Sequence, residues 1–323
     1  MGSAVMLPFR KQTGSPDGSN AYGFEIVMFG GGSQGKGNKE GCAGECELPA
    51  SPYVFRMAFP RSPKEAIQGG GWPKSWQYST STAAYETMSS PRLFADAVLL
   101  PNGKVAVLNG AKKGMPAGTI EGGGLAKEPN YQALLYDPDL PPGRRFRALA
   151  SSAIHRFYHS NAALLPSGDV WVAGSEHGPD CRADCKTNPA PPAQEYRAEL
   201  LQPPYSFLPR PRILSLVEPR EPTSLRLGGT VTLRYAPAAP GGKITGASIT
   251  APGARTHGLD MTARLVFLQA VSIGSPEGGG RGGVATFALP SGAGRVALPG
   301  WYMLWVLEGD VPAKEAVWIQ LRA

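Results

Sequence analysis

The feature that most constrains the fold is an apolar hairpin pattern that occurs twice, 65 residues apart. Residues 97–107 have the sequence AVLLPNGKVAV, and residues 162–172 have the sequence AALLPSGDVWV. In each copy two short runs of strand-forming residues flank Pro-Asn-Gly or Pro-Ser-Gly, where glycine supplies the positive φ that a tight turn requires. A weaker copy begins the chain, with strand-like runs at 4–8 and 25–31. The pattern predicts repeated β-hairpins.

A further strand-like run follows each hairpin unit, at 53–59, 132–136 and 196–201. Small antiparallel sheets that repeat at intervals of tens of residues are typical of β-propeller blades, here of the kelch type. An ordinary β-sandwich with coincidental hairpins is the alternative. Because each blade packs against neighbours on both sides, three blades do not close a ring. The pattern therefore predicts a partial β-propeller over residues 1–208.

After Pro209 the sequence changes to short alternating runs with strand character. Six such runs within about 115 residues are typical of an immunoglobulin-like sandwich. They lie at 225–235, 243–250, 265–271, 284–289, 301–307 and 316–321. We therefore expect an all-β protein, with a partial kelch-type β-propeller (1–208) followed by a C-terminal immunoglobulin-like β-sandwich (209–323).

Composition argues against two classes of partner. The 323 residues have a net charge of +7, but lysine and arginine are scattered through loops and form no basic stripe, so we do not expect nucleic-acid binding. The densest apolar run, 301–307, is far shorter than a membrane span of about 18 residues. The 42 glycines are clustered, which indicates long loops on a β body. We expect a monomer that binds neither nucleic acid nor membrane.

The four cysteines form two C-x3-C pairs, Cys42 with Cys46 and Cys181 with Cys185. Such pairs could ligate zinc, but the spacing departs from the usual C-x2-C form and His177 is the nearby histidine. Two local disulfides are the favoured interpretation, and they indicate an oxidising compartment. Met1 leads directly into a strand-like run without a signal peptide, so we expect the chain to begin inside a domain.

The spacing of the four histidines by itself predicts no metal site. Two longer motifs are more specific indicators of function. Residues 156–170, RFYHSNAALLPSGDV, resemble the R-x-Y-H-S-x-x-x-L-L-P-D-G-x-V string of the copper-radical oxidases of the glyoxal oxidase/galactose oxidase family. Residues 256–264 resemble that family's T-H-S-F-x-M-x-Q-R loop, with Gly258 in place of Ser and Ala263 in place of Gln. The stretches 92–111 and 297–306 also resemble family segments, so the likeness extends over nearly the whole chain.

The resemblance implies a seven-bladed propeller and a galactose oxidase-like early set sandwich that sends a loop into the propeller's central channel. It implies one Cu2+ ion with three ligands in this chain. Tyr158 would be the axial ligand and would accept the substrate's proton, while His159 and His257 would be equatorial ligands. Imidazole suits Cu(II), and a phenolate is a fitting local base. Ligands from two domains would explain why the two histidines are 98 positions apart in the sequence.

The family's radical cofactor is a tyrosine cross-linked to a cysteine, and no position of this chain matches either residue. Cys42 and Cys46 lie in an insertion, out of register with that cysteine. The segment 181–188 resembles a disulfide-bearing C-x-x-C-T-T-N loop, which implies a disulfide between Cys181 and Cys185.

The resemblance therefore predicts the C-terminal part of an extracellular oxidase, with little turnover in this chain alone. The substrate would be a small aldehyde of the glyoxal type or a primary alcohol, carbohydrates included, and O2 would be reduced to H2O2. A non-catalytic extracellular binding or structural module is the alternative. A zinc-stabilised intracellular kelch adaptor is a more remote one.

Overall fold

A computed structural model describes residues 2–11, 22–32, 48–59, 86–120, 123–175, 195–218, 225–274, 282–291 and 296–323. In this part of the chain every regular element is a β-strand, except one turn of 3-10 helix at Pro204–Phe207. No helix among these residues has the length and apolar character needed to cross a bilayer. The four cysteines and His177 lie outside the described residues.

The first three sheets correspond to propeller blades. The first contains four strands of the N-terminal region: β1 (Ser3–Met6), β2 (Arg10–Lys11), β3 (Tyr22–Phe29) and β4 (Val54–Phe59). The second has the order β10-β9-β6-β5: β5 (Asp96–Leu99), β6 (Val105–Leu108), β9 (Gln132–Tyr136) and β10 (Phe146–Ser151). A two-stranded excursion leaves it between β6 and β9: β7 (Ala111–Ile120) and β8 (Gly123–Pro129). The third has three described strands: β11 (Asn161–Leu164), β12 (Val170–Ala173) and β13 (Glu199–Leu201).

Both predicted hairpin turns are confirmed, and they have the same geometry. Gly103 between β5 and β6 has φ +84°, and Gly168 between β11 and β12 has φ +85°. The Leu100 amide donates to the Lys104 carbonyl at 2.8 Å, and the Leu165 amide donates to the Asp169 carbonyl at 2.9 Å. These closures fix the antiparallel register of each hairpin.

The strands β5 and β6 of the second blade are apolar except for Asp96 because both of their faces are buried. Leu99 and Val107 pack towards the first sheet, in a cluster with Val5. Leu100 and Leu108 pack towards the third sheet. Each fully buried leucine contributes roughly 1.5–3 kcal/mol relative to an exposed one. The continuous apolar runs of this blade therefore reflect its packing against a neighbouring sheet on each face.

The C-terminal strands that form one sheet are β14 (Arg212–Glu218), β15 (Leu225–Arg226), β16 (Thr230–Ala236), β17 (Gly246–Thr250), β20 (Leu265–Ile273), β21 (Gly283–Ala288), β22 (Gly300–Glu308), β23 (Val311–Pro312) and β24 (Val317–Arg322). The nine strands have the order β14-β16-β21-β20-β17-β22-β24-β15, with β23 paired to β22. The sheet curls around a core that includes Val231, Leu233, Phe287, Leu304 and Ile319. The predicted fold class, a partial propeller followed by a C-terminal immunoglobulin-like sandwich, is confirmed.

Two details of the predicted strands are wrong. The run 225–235 is not one strand, because a turn with Gly228 at φ +80° separates β15 from β16. The strand β14 was not predicted, since all seven of its residues are at least partly exposed and its sequence shows no regular apolar alternation.

Polar contacts fasten the blade turns to the sandwich. The Ser248 hydroxyl donates to the Pro101 carbonyl at 2.7 Å, and Lys104 pairs with Asp310 at 2.7 Å. The Arg210 guanidinium donates to the carbonyls of Ser167, Pro312 and Ala313 at 2.9, 3.1 and 2.6 Å. Because both repeated turns are anchored in this way, the sandwich has a defined position relative to the blades.

Candidate metal centre

Three aromatic side chains from two distant parts of the sequence converge in one place. The ring centroids of Tyr158 and His159 are 3.7 Å apart and stacked. The His257 ring lies 5.5 Å from the Tyr158 ring and 5.3 Å from the His159 ring, edge-on to both. The Tyr158 Oη and His257 Nε2 atoms are 3.3 Å apart. One phenol and two imidazoles therefore surround a common point between the propeller and the sandwich.

The segment that holds Tyr158 and His159 precedes β11 and is held in place by hydrogen bonds and ring packing. The Arg156 guanidinium is buried and donates to the Glu199 carboxylate at 2.9 Å and to the Gly174 carbonyl at 2.9 Å. The Tyr158 ring packs 5.3 Å from the buried ring of Phe94. His159 has φ +59°, a left-handed conformation that costs a non-glycine residue energy and is common at functional sites.

His257 reaches the same point at the tip of a very short hairpin. The strands β18 (Arg255–Thr256) and β19 (Leu259–Asp260) are joined by His257 and Gly258 alone. Both turn residues have positive φ, +54° and +75°, as a type I′ turn requires. A Cβ at Gly258 would lie 2.5 Å from the Ala95 carbonyl oxygen, so the turn is pressed against the propeller backbone.

The first blade also contacts this hairpin, through strand pairing and a side-chain hydrogen bond. Leu259 of β19 pairs in parallel with Ala4 of β1. The Ser3 hydroxyl donates to the Gly258 carbonyl at 2.6 Å. A hairpin that follows the sandwich strand β17 in the chain is therefore part of the first propeller sheet.

A buried polar network lies beside the two histidine-bearing segments. The Asp96 Oδ2 atom accepts a hydrogen bond from Asn109 Nδ2 at 2.8 Å and lies 3.4 Å from Ser160 Oγ. Arg255 and Asp260 form a cross-hairpin ion pair at 2.7 Å, with side chains 3% and 6% exposed. Burial raises the pKa of Asp96 to about 6, and the Arg255 charge and the Asn109 hydrogen bond oppose that rise.

The structure brings together the three residues that the resemblance singles out, Tyr158, His159 and His257. The disulfide candidates Cys42, Cys46, Cys181 and Cys185 lie outside the described residues. Elsewhere in the loop motif, Met261 is exposed, whereas Arg264 donates to the Val296 carbonyl at 2.8 Å and packs over the Phe9 ring.

Three residues near the site, Phe94, Asp96 and Arg255, were not singled out as candidates from the sequence. Asp96 falls within the stretch 92–111, which resembles a family segment but suggested no role for any single residue in the site. Phe94 lies in the same stretch and Arg255 directly precedes the loop motif 256–264, but only the fold places these two residues near the rings.

Family models and relatives agree with this architecture. Residues 1–205 match the model described as glyoxal oxidase N-terminus, and residues 210–321 match the galactose oxidase-like early set domain. The chain is 35% identical over 244 residues to aldehyde oxidase GLOX1 of Arabidopsis thaliana, covering 73% of this chain and 37% of the relative. It is 32% identical over 238 residues to aldehyde oxidase GLOX of Vitis pseudoreticulata, covering 73% of this chain and 42% of the relative.

More distant proteins show the same relationship. A galactose oxidase of Gibberella zeae is 28% identical over 222 residues, which cover 67% of this chain and 27% of that protein. A solved structure titled as a novel fungal alcohol oxidase of the AA5 family in complex with copper covers 100% of this chain and 54% of its own, with a TM-score of 0.63 and 23% identity, which shows a shared fold. The chain thus spans less than half of each curated relative described here. By its family-model matches over both parts, the chain belongs to the glyoxal oxidase/galactose oxidase family of copper-radical oxidases.

Proposed function

We propose that this chain is the C-terminal part of an extracellular copper-radical oxidase, and that it holds one copper ion between its propeller blades and its sandwich. The observation that supports the proposal is the convergence of the Tyr158, His159 and His257 rings. The 3.3 Å between Tyr158 Oη and His257 Nε2 would let both atoms reach one ion after small side-chain rotations.

The donor set fits a copper ion chemically. Imidazole nitrogen is a preferred ligand of Cu(II), and a phenolate completes a mixed nitrogen and oxygen set. The Nδ1 atom of His257 lies 2.6 Å from Thr256 Oγ1. If Nδ1 carries the proton and donates it to that oxygen, Nε2 presents its lone pair towards Tyr158 and His159, and the ring orientation is fixed.

The proposed reaction is the two-electron oxidation of a small aldehyde or a primary alcohol by O2. An aldehyde hydrate gives a carboxylic acid and H2O2, and a primary alcohol gives an aldehyde and H2O2, so each turnover transfers two electrons and two protons to O2. A bound copper ion would polarise the substrate oxygen and accept one of these electrons. Tyr158 would accept the hydroxyl proton of the alcohol or hydrate at Oη.

An aldehyde of the glyoxal type is the first substrate class to test, because two of the more similar relatives are named aldehyde oxidases. A primary alcohol or carbohydrate is the second, on the name of the galactose oxidase. In the family, the second of the two electrons is accepted by the cross-linked Cys–Tyr pair, and no residues among these 323 match that pair. We therefore expect this chain alone to bind Cu(II) with little or no turnover.

The test is a Cu(II) titration of the purified chain, followed by calorimetry and by electron paramagnetic resonance. We expect one Cu(II) per chain with a tetragonal signal that includes nitrogen coupling. The variants His159→Ala and His257→Ala should each weaken binding at least tenfold, whereas His155→Ala, four residues from His159, serves as the matched control. Equal Cu(II) affinity in all four proteins would contradict the proposal, and a chain that binds no copper would favour a non-catalytic module.

A further inference from the structure

Asp96 is a buried carboxylate with unusual connections. It is the first residue of β5 and is 1% exposed. Its Oδ2 atom accepts a hydrogen bond from Asn109, while its Oδ1 atom is buried without a hydrogen-bond partner among the described residues. Burial of an ionised carboxylate is costly, and the pKa of Asp96 is raised to about 6 although Arg255, Asn109, Ser160 and Arg156 all oppose the rise. Near neutral pH this group therefore destabilises the fold, and stability does not explain its position.

On one side, Asp96 is connected to the segment that holds Tyr158 and His159. Ser160 follows His159 directly, is 8% exposed, and places its Oγ 3.4 Å from Asp96 Oδ2. The Ser160 amide donates to the Phe157 carbonyl at 3.2 Å, which closes the turn around the two site residues. A restraint on the Ser160 side chain is therefore also a restraint on the backbone of His159.

On the other side, Asp96 is connected to the hairpin that carries His257. Arg255 is two residues before His257, and its Nη1 atom donates at 2.6 Å to the carbonyl of Ala97, the residue that follows Asp96. Its Nε atom is buried without a hydrogen-bond partner among the described residues. The Arg255 charge is the largest of the interactions that keep Asp96 ionised. Arg255 also forms an ion pair with Asp260 within the hairpin at 2.7 Å, so one guanidinium contacts the hairpin and the backbone of β5 and lies close enough to act on the Asp96 charge.

We propose that Asp96 is a positioning residue, which sets the His159 segment of the propeller and the His257 hairpin of the sandwich relative to each other through Ser160 and Arg255. The inference rests on the proposed function only in identifying the two imidazoles as copper ligands. The placement of the two segments by one carboxylate is a property of the fold and is testable by itself.

The test compares three variants of the full chain at pH 8, where Asp96 is ionised. Asp96→Asn keeps the size of the side chain and an acceptor for Asn109 but removes the charge. Asp260→Asn keeps the oxygen that accepts from the Thr262 amide and weakens only the Arg255 pair. Glu86→Gln is the matched control, because Glu86 is also buried, also has one oxygen without a partner, and pairs with Arg145 at 2.9 Å rather than with the site.

Two quantities are measured for each variant: amide hydrogen exchange in the segments 156–164 and 255–262, and the dissociation constant for Cu(II). Asp96→Asn should accelerate exchange in both segments by tenfold or more, with the rest of the second blade unchanged, and should weaken Cu(II) binding 10- to 100-fold, as loss of groups that orient metal ligands does. Asp260→Asn should accelerate exchange in 255–262 alone. Glu86→Gln should alter neither segment and should leave Cu(II) binding unchanged.

Unchanged exchange in both segments of Asp96→Asn would overturn the inference, and so would an equal acceleration throughout the blade. Should Asp96→Asn fail to fold, Asp260→Asn decides, since unchanged exchange at 255–262 would refute the role of Arg255. If the wild-type chain binds no Cu(II), the proposed function fails while the exchange data still settle the positioning role. If the wild type and Asp96→Asn bind Cu(II) equally, the positioning role fails and the copper site stands.

Discussion

The raised pKa of Asp96 has a measurable consequence for the pH dependence of stability. The folded-state value is about 6, against an ordinary value of 3.8. The folded protein therefore binds this proton more tightly than the unfolded chain, and the stabilisation that protonation provides is lost as pH rises from about 4 to about 6. A difference of about two pKa units is worth about 3 kcal/mol, of which about 2.5 kcal/mol falls between pH 4 and pH 7.5.

The perturbation that isolates this effect is Asp96→Asn, which cannot titrate. The free energy of unfolding is measured by urea denaturation of both proteins at several values between pH 4 and pH 7.5. We expect the difference, wild type minus variant, to fall by about 2.5 kcal/mol across that range and to be constant above pH 7.5. The charged groups that act on Asp96 are Arg255 and Arg156, and both are present in the wild type and in the variant, so the difference between the two proteins reports the Asp96 carboxyl. A difference that stays flat, or that rises with pH, would refute the reasoning.

Two further substitutions test the packing that positions the site. Gly258→Ala places a Cβ 2.5 Å from the Ala95 carbonyl oxygen at a φ of +75°, whereas Gly241→Ala has a φ of +79° and nothing within 4 Å. The left-handed conformation alone costs about 1–2 kcal/mol, so Gly258→Ala should lower the free energy of unfolding clearly more than Gly241→Ala does. Equal losses in the two variants would contradict the close approach at Gly258. Leu100→Ala removes a fully buried side chain between two blades and should cost about 2–5 kcal/mol in urea unfolding. The exposed Leu140→Ala should change stability little, and a comparable loss there would contradict the inter-blade core.

The repeated hairpins were predictable because their signals are local. A turn such as 101–103 needs a glycine with positive φ between two strand-forming runs, and both requirements are visible in four to ten residues. The Tyr158–His159 segment was recognisable for a related reason, since it precedes the second such hairpin within one continuous string.

The hairpin β18–β19 was not predictable as a structural element. Each strand has two residues, which is too short for any periodicity, and its order depends on pairing with β1, more than 250 residues away in sequence. The Arg255–Asp260 pair lies across this hairpin, and the Arg255 bond to the Ala97 carbonyl joins the hairpin to β5, 158 residues earlier in the sequence. The sequence suggests His257 as a ligand only through the family motif, and the residues that orient it become visible only when the two domains are placed together.

The location of this hairpin has a thermodynamic consequence for the proposed copper site. A four-residue ladder cannot hold a fixed conformation by itself, because a two-stranded ribbon is marginal in water even when it is longer. The hairpin is ordered by its contacts with the propeller, namely the Ser3 hydrogen bond, the Ala4 pairing and the Arg255 contact with β5. A ligand shared between His159 and His257 would bind only when the domains are docked.

Binding and docking are therefore linked, and each must stabilise the other by the same free energy. At a free Cu(II) concentration 100 times the dissociation constant, the docked state would gain about 2.7 kcal/mol. This is comparable to the cost of keeping Asp96 ionised in the interior, about 3 kcal/mol from its pKa. A buried charge that weakens the fold and a bound metal that strengthens the docked state would thus act in opposite directions, and the free Cu(II) concentration would set which of the two is larger.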